Sequence, residues 1–346
     1  MIGVMLVYIF KFDKNVWRID YLRIYKGFFE IDKYKLFRVI LVLFILFVVS
    51  YIVIFLKTGE IPVFAAKPWK ARAEFTMFGV GLFLHNVVLI VFFSGVYFVL
   101  ESGNKFRKFI LILLSLISIV LYAATLQRYQ IFLAIFMVVA LLYYSTSRIN
   151  FKTTLITGVI IVGFFYLVSS FRLGEFVIYI LYQISKMKFS PDYAIFTEPY
   201  MYVVMNLENF ARSITKIDSY TYGYYTFDFL TAITGIKHWI SEYFYLNETP
   251  FLISSFNTYS AFWTFYRDFG VLGIFIIPFV GGISISSFYY SFRLKPTLLR
   301  CALYGMLMFG IIFSFFNSLF GFLWFIYNFL VLIVVIKYVS PDNVQY

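Results

Sequence analysis

Charge is scarce in this sequence. Of its 346 residues only 13% are Asp, Glu, Lys or Arg, against 62% hydrophobic and 24% aromatic, where a soluble domain has about a quarter charged and about half apolar residues. That balance excludes a soluble fold and defines a polytopic membrane protein. Cysteine is nearly absent: the single Cys301 lies in an apolar run without a partner, so no intrachain disulfide braces a loop. Charge is rarest inside the apolar runs, where only His85, beside Asn86, falls near the middle of a predicted span. Ion-coupled transporters relay their ions on intramembrane charged groups and are commonly built from internal repeats. This sequence offers neither, and a lone helix histidine reads as a hydrogen-bonded packing residue.

Apolar length is abundant. A helix needs about 20 apolar residues to cross about 30 Å of hydrocarbon. Spans are predicted at 36–56, 75–100, 109–126, 130–145 and 153–171, and again at 270–291, 300–317 and 321–337. The fold class is therefore an all-α polytopic membrane protein of about eight transmembrane helices. Met1 to Phe10 is apolar but too short to span; with no basic stretch before it and no small-residue cleavage site after it, it is not a signal peptide. It reads as a surface-lying segment or the remnant of a longer helix. The chain divides into a cytoplasmic or interfacial N-terminal segment (1–35), a first helix group (36–171), one large loop (172–268), and a second helix group with a short cytoplasmic tail (269–346).

Orientation follows from Lys and Arg in the short connections. Residues 11–38 hold eight of them; with that segment inside, alternation also places 101–108, 146–152, 292–300 and the tail with Lys337 inside, seventeen basic residues in all. The short outer links hold five: Lys57, Lys67, Lys70, Arg72 and Arg128. The 172–268 loop is thus extracytoplasmic, and the protein belongs in the cytoplasmic membrane. Four basic residues in the outer 57–74 link run against the rule and invite a functional reading. The net charge of +12 is dispersed at the ends of apolar runs, which suits anionic lipid headgroups and not nucleic acid.

The large loop carries its own pattern. EFVIYILYQISKMKF (175–189) and YMYVVMNLENFARSITK (200–216) have apolar residues near helical spacing with polar ones between, as in amphipathic helices at a membrane surface. Pro191, Pro199, Gly223, Gly235 and Pro250 punctuate the rest. Arg128 sits at the outer hairpin LYAATLQRYQIFLAIF and Arg172 follows the end of a span in LVSSFRLGEF. Each places a guanidinium at the outer membrane boundary, where its planar fork suits a lipid-linked phosphate. Snorkelling to headgroups produces the same placement for any one arginine.

Four stretches together resemble a known family: FNTYSAFWTFYRDFGVLGIFIIPFVGG (256–282), TGEIPVF (58–64), the Arg128 hairpin, and NLENF followed by GYYTFDFLTAITG (206–235). In order and spacing around one outer loop they are similar to the oligosaccharide repeat-unit polymerases, the O-antigen polymerase group, across most of the chain from residue 36 onward. O-antigen ligases, distantly similar, carry a His-Asn pair ahead of an acidic-x-Gly-x-x-Gly element. Here that place reads Phe256-Asn257, followed by Asp268-Phe269-Gly270-Val271-Leu272-Gly273; the histidine is missing and the spacing is longer, which favours polymerase over ligase.

The resemblance implies a metal-independent membrane glycosyltransferase without a cofactor. It would move a growing glycan from its polyprenyl diphosphate carrier onto a new lipid-linked repeat unit, in the company of a repeat-unit flippase and a chain-length regulator. O-antigen ligase-like glycan transfer, or a flippase or exporter of the lipid-linked oligosaccharide, are the alternative functions. The departing diphosphate gains charge as the glycosidic bond breaks, and fixed cations stabilise it; Arg128, Arg172 and Arg267 are the candidates. Asp268 and His238 are candidates for the general base, although Asp268 equally suits pairing with Arg267 or capping the next helix, and His238 suits an interfacial place beside Trp239. Asn257 and Thr258 can hydrogen-bond sugar hydroxyls, and Trp239, Tyr259, Trp263 and Tyr266 can stack on sugar faces, although aromatics also crowd membrane interfaces generally. The outer face carries no Asp-x-Asp and no metal-spaced His cluster, so no metal is expected.

Overall fold

The computed structural model describes residues 1–11, 30–101, 103–146, 149–156, 158–159, 163, 178–217, 219–240 and 259–341. Among these every regular element is helical. The chain forms two compact units: one of residues 10–149, 285–309 and 324–346, the other of residues 1–9, 150–284 and 310–323. Among the described residues four helical stretches are long and apolar enough to cross a membrane, Lys33–Thr58, Val80–Leu100, Lys105–Ala124 and Ala261–Leu294. The protein is accordingly of the multi-pass membrane class.

In chain order the helices are α1 (Ile2–Lys11), α2 (Lys33–Thr58), α3 (Pro68–Glu74), α4 (Val87–Leu100, entered through a tighter turn over Val80–Asn86), α5 (Lys105–Ala124), α6 (Tyr129–Ser145), α7 (Thr197–Lys216), α8 (Asp228–Thr234), α9 (Ile236–Ile240), α10 (Ala261–Leu294), α11 (Leu298–Phe313) and α12 (Leu323–Val339). The sequence-predicted spans coincide with α2, α4, α5, α6, α11 and α12 to within a few residues at most ends. The predicted span 153–171 lies largely outside the described residues. At 16 or 17 residues, α6, α11 and α12 are apolar but shorter.

The first unit is built on α2 and α4. The side chain of Asp32 caps α2 by accepting from the backbone N–H of Tyr34 at 2.8 Å and of Lys35 at 3.1 Å, and Gly59, with φ 79°, closes its far end on the Phe55 carbonyl. These backbone bonds hold the Asp32 carboxyl below its ordinary range. The 26 residues between the caps extend about 39 Å at about 1.5 Å per residue. Leu36, Ile40, Leu43, Phe47, Tyr51 and Ile54 form the buried face, while Val42, Ile45, Val49, Ile52 and Leu56 on the other faces are exposed. A helix apolar on every side while exposed on half of them is one solvated by lipid. In α4 burial runs almost around the helix, from Val87 through Tyr97, because it packs against α2, α5 and α6.

Ends that the charge pattern assigns to one membrane face gather at one end of this unit. Lys33 pairs with Glu101 at 3.3 Å, Arg107 lies over the Tyr34 ring at 4.7 Å, and the Asp32 N–H donates to the Val339 carbonyl at 2.8 Å. Tyr144, near the end of α6, meets Phe292 and Tyr304 edge-on.

In the second unit α10 departs from expectation. The sequence places a span from residue 270 and leaves everything to 268 in the loop, yet helix begins at Ala261 and is broken at Gly270 (φ 63°, ψ −147°). That backbone conformation is open only to glycine. The apparent helix start was therefore an internal break, with helical residues on both sides. A second glycine, Gly273, brings the chain so near the Phe265 carbonyl that a Cβ would come within 2.2 Å of its oxygen. The Asp-x-Gly-x-x-Gly element is thus the joint of a bent helix. N-terminal α1 does not lie alone on a surface: Val7 is buried, and Gly3 sits against the Phe279 carbonyl of α10, where a Cβ would come to 2.3 Å.

Candidate functional site

The head of α10, from Tyr259 to Phe269, carries the densest set of polar and aromatic groups in the second unit. Asp268 is fully buried. Its Oδ1 accepts from the Thr221 hydroxyl and, at 3.1 Å, from the Tyr225 N–H; its Oδ2 accepts from the Thr226 N–H at 2.6 Å. The backbone reinforces the junction, with Thr221 N–H on the Arg267 carbonyl at 3.0 Å and Tyr222 N–H on the Asp268 carbonyl at 3.1 Å. A buried carboxylate is stable in such surroundings because its lone pairs are filled by donors. The carboxylate so engaged fastens the 219–227 turn to the helix.

Arg267 is also buried, and its Nη1 donates to the Ser219 carbonyl at 2.6 Å. Its guanidinium reaches Tyr225 as well, whose hydroxyl is pushed up to about 12 by burial, with Arg267 acting in the opposite direction. Burial likewise raises the Tyr259 hydroxyl. Tyr259 lies flat on Trp263, ring centroids 3.9 Å apart, and Tyr225 meets the same indole edge-on at 5.0 Å. Trp263 is buried, and its Nε1 has no hydrogen-bond partner among the described residues; nor does the nearby Thr226 hydroxyl. Tyr266, buried too, donates to the Ile214 carbonyl at 3.4 Å and meets Phe210 and Tyr220 edge-on. Of the four aromatics expected to stack on sugars, Trp263 and Tyr266 are thus occupied by protein neighbours, Tyr259 is partly exposed with one face on Trp263, and Trp239 on α9 is open.

Arg128 belongs to the other unit, at the N-terminus of α6 (φ −124°, ψ −32°), half-exposed. Its charge acts on the adjoining Tyr129, and so does that of Arg72, which also acts on Tyr122. Arg72 is carried by α3, anchored by buried Ala71 and by Phe75, whose ring meets Tyr51 at 5.3 Å. Tyr122 donates to Gln127 Oε1 at 2.7 Å and lies 3.3 Å from Nδ1 of His85. Asn86 donates to the Leu43 carbonyl at 3.4 Å and accepts from the Tyr327 hydroxyl at 2.7 Å. His85 and Asn86 are therefore built into the packing, as expected of a lone intramembrane pair.

Arg172, Asn257 and Thr258 lie outside the described residues, and of His238 only the backbone, on α9, is described. Two groups that the structure brings forward were not named as site residues from the sequence. Arg72 was one of four basic residues in a link where the orientation rule disfavours them, and that anomaly was its signal. Tyr225 and Thr226 gave none beyond their place in GYYTFD, since their bonds to Asp268 cross more than forty residues of chain.

Compared with family models, with curated proteins and with solved structures, the chain matches none.

Proposed function

We propose that this multi-pass membrane protein is a glycosyltransferase that polymerises polyprenyl-diphosphate-linked oligosaccharide repeat units, with about eight spans and the 172–268 loop outside the cytoplasmic membrane. The observation that carries the reading is the head of α10. A buried arginine and a buried aspartate stand one residue apart immediately before a glycine break, with a tyrosine-rich turn fastened across them. That assembly falls within two of the four stretches, 206–235 and 256–282, that carry the family resemblance.

In this reaction the anomeric carbon of the growing glycan loses its bond to the diphosphate oxygen and gains one to an acceptor hydroxyl, whose proton leaves with a base. Arginines at the membrane boundary stabilise the charge left on the diphosphate, an electrostatic contribution realised mainly as the bond breaks. Arg128 and Arg172 take that role, with Arg267 as a third cation. Asp268, its oxygens committed to three donors, acts as a positioning residue that holds the 219–227 turn. His238 stays the candidate base, Tyr259 supplies an aromatic face for the glycan, and Asn257 and Thr258 supply hydrogen bonds to it. No metal takes part. The test is conversion of purified lipid-linked repeat unit into a ladder of longer lipid-linked glycans by the reconstituted protein. Absence of any ladder from a folded preparation supplied with its own repeat unit would refute the reading.

A further inference from the structure

Helix α7 is inside out for a water-exposed helix. Its buried face is polar at Thr197, Asn206, Asn209 and Ser213, with Met201 and Met205 beside them; the Ser213 hydroxyl turns back onto the Asn209 carbonyl at 2.7 Å. Its exposed side carries an apolar stripe: Tyr200, Val203, Leu207 and Ile214 are all open, with exposed Ala211 between the last two and exposed Glu208 and Thr215 along one edge. At about 100° per residue these five fall in one stripe. A helix docked on a protein and facing water buries its apolar stripe and shows its polar one. Along α7 (20 residues) the polar Asn206, Asn209 and Ser213 are instead buried while this apolar stripe is open, an arrangement that suits an apolar medium on the outer side.

The same unit shows what that medium is. Tyr266 joins α7 to the head of α10 through the Ile214 carbonyl and the Phe210 ring, one turn before the Gly270 break. Immediately beyond the break the exposed residues of α10 are Val271, Leu272, Phe275, Ile276, Phe279 and Val280, the lipid-facing surface of a membrane-crossing helix. Helix α7 is therefore fixed to α10 at the level where α10 enters hydrocarbon. Exposed Lys216, in its last turn, suits a phosphate headgroup at that level.

We infer that α7 is an in-plane bilayer helix whose Tyr200–Val203–Leu207–Ala211–Ile214 stripe is immersed in lipid, setting the depth at which the Arg267–Asp268 head of α10 is held. The inference stands on the membrane class of the protein and not on its catalytic reading, so it survives if no glycosyl transfer is found.

Spin labels test it on the full chain. The single native thiol, Cys301, is buried, so cysteines introduced as Val203→Cys, Leu207→Cys, Glu208→Cys and Thr215→Cys are the ones labelled, all at exposed positions. In phosphatidylethanolamine–phosphatidylglycerol vesicles, labels at 203 and 207 will be relaxed strongly by oxygen and weakly by a water-soluble nickel chelate. Those at 208 and 215, flanking the stripe, will show more of the chelate. Equal chelate access at 207 and 208 would overturn the inference. So would labels at 203 and 207 that are immobile and shielded from both reagents, which would mean that a second copy or another part of the chain covers the stripe. Leu207→Ser, unlabelled, gives an independent readout. It should leave α7 folded by circular dichroism while reducing retention of Thr215→Cys label depth; unchanged depth would count against lipid immersion.

Discussion

The Thr226 backbone N–H donates to Asp268 Oδ2 across 42 residues of chain at 2.6 Å. Together with Thr221 and Tyr225 it gives the buried carboxylate three donors. Replacing Asp268 by Ala strands two backbone N–H groups and one hydroxyl in a buried place, at about 1–3 kcal/mol for each unsatisfied group. Asp268→Asn keeps one acceptor and turns an amide donor toward the others. We expect both variants to unfold at clearly lower temperature than the parent in detergent, Ala more than Asn. Unchanged melting would show that the turn is held by other means.

Gly270 tests the joint. Gly270→Ala must place a Cβ at 2.7 Å from the Tyr220 ring at φ 63°, adding a steric conflict to about 1–3 kcal/mol of backbone strain. The double variant with Tyr220→Ala removes the contact but not the strain, so it should recover only part of the lost stability. Full recovery would mean that the break is not intrinsic to the backbone.

The Tyr225 hydroxyl gives a pH dependence. Its ordinary value is 10.0 and burial raises it to about 12 in the native protein. Between those values the unfolded chain releases a proton that the folded one keeps, so stability falls as pH rises through the window. Tyr225→Phe should flatten that fall in denaturant titrations across the window. An equal slope in parent and variant would remove Tyr225 as its source.

Topology is checkable at the end where Lys33 meets Glu101. Cysteines replacing both residues should cross-link with a short bifunctional reagent, and a label added to either should be reached only from the cytoplasm. Labelling of either from outside would invert the proposed orientation.

Most of the helical architecture was legible because apolar runs of the right length have few alternatives in a bilayer. Ends were legible where a cap marks them, as at Asp32 and Gly59. The start of α10 was not, because a glycine that opens a helix and a glycine that breaks one look alike in sequence; only the backbone angles at Gly270 separate them. The residue types of the site were legible, but their partners were not. Nothing local to Asp268 announces Thr221 or Thr226. Trp263 and Tyr266 looked available for sugars because sequence shows aromaticity and not which rings already cover them.

The most direct test of the central claim is the chain-length distribution produced from purified polyprenyl-diphosphate-linked repeat units by Arg128→Ala, Arg128→Lys, Arg172→Ala and Arg172→Lys. Each variant should be folded and reconstituted to the level of the parent. The account predicts no polymer from either Ala variant, because each removes charge stabilisation worth about 3–4 kcal/mol in the transition state, and short, sparse polymer from the Lys variants, whose ammonium cannot reproduce the bidentate fork. A ladder of parental length from both Ala variants would contradict it, leaving these arginines as headgroup anchors.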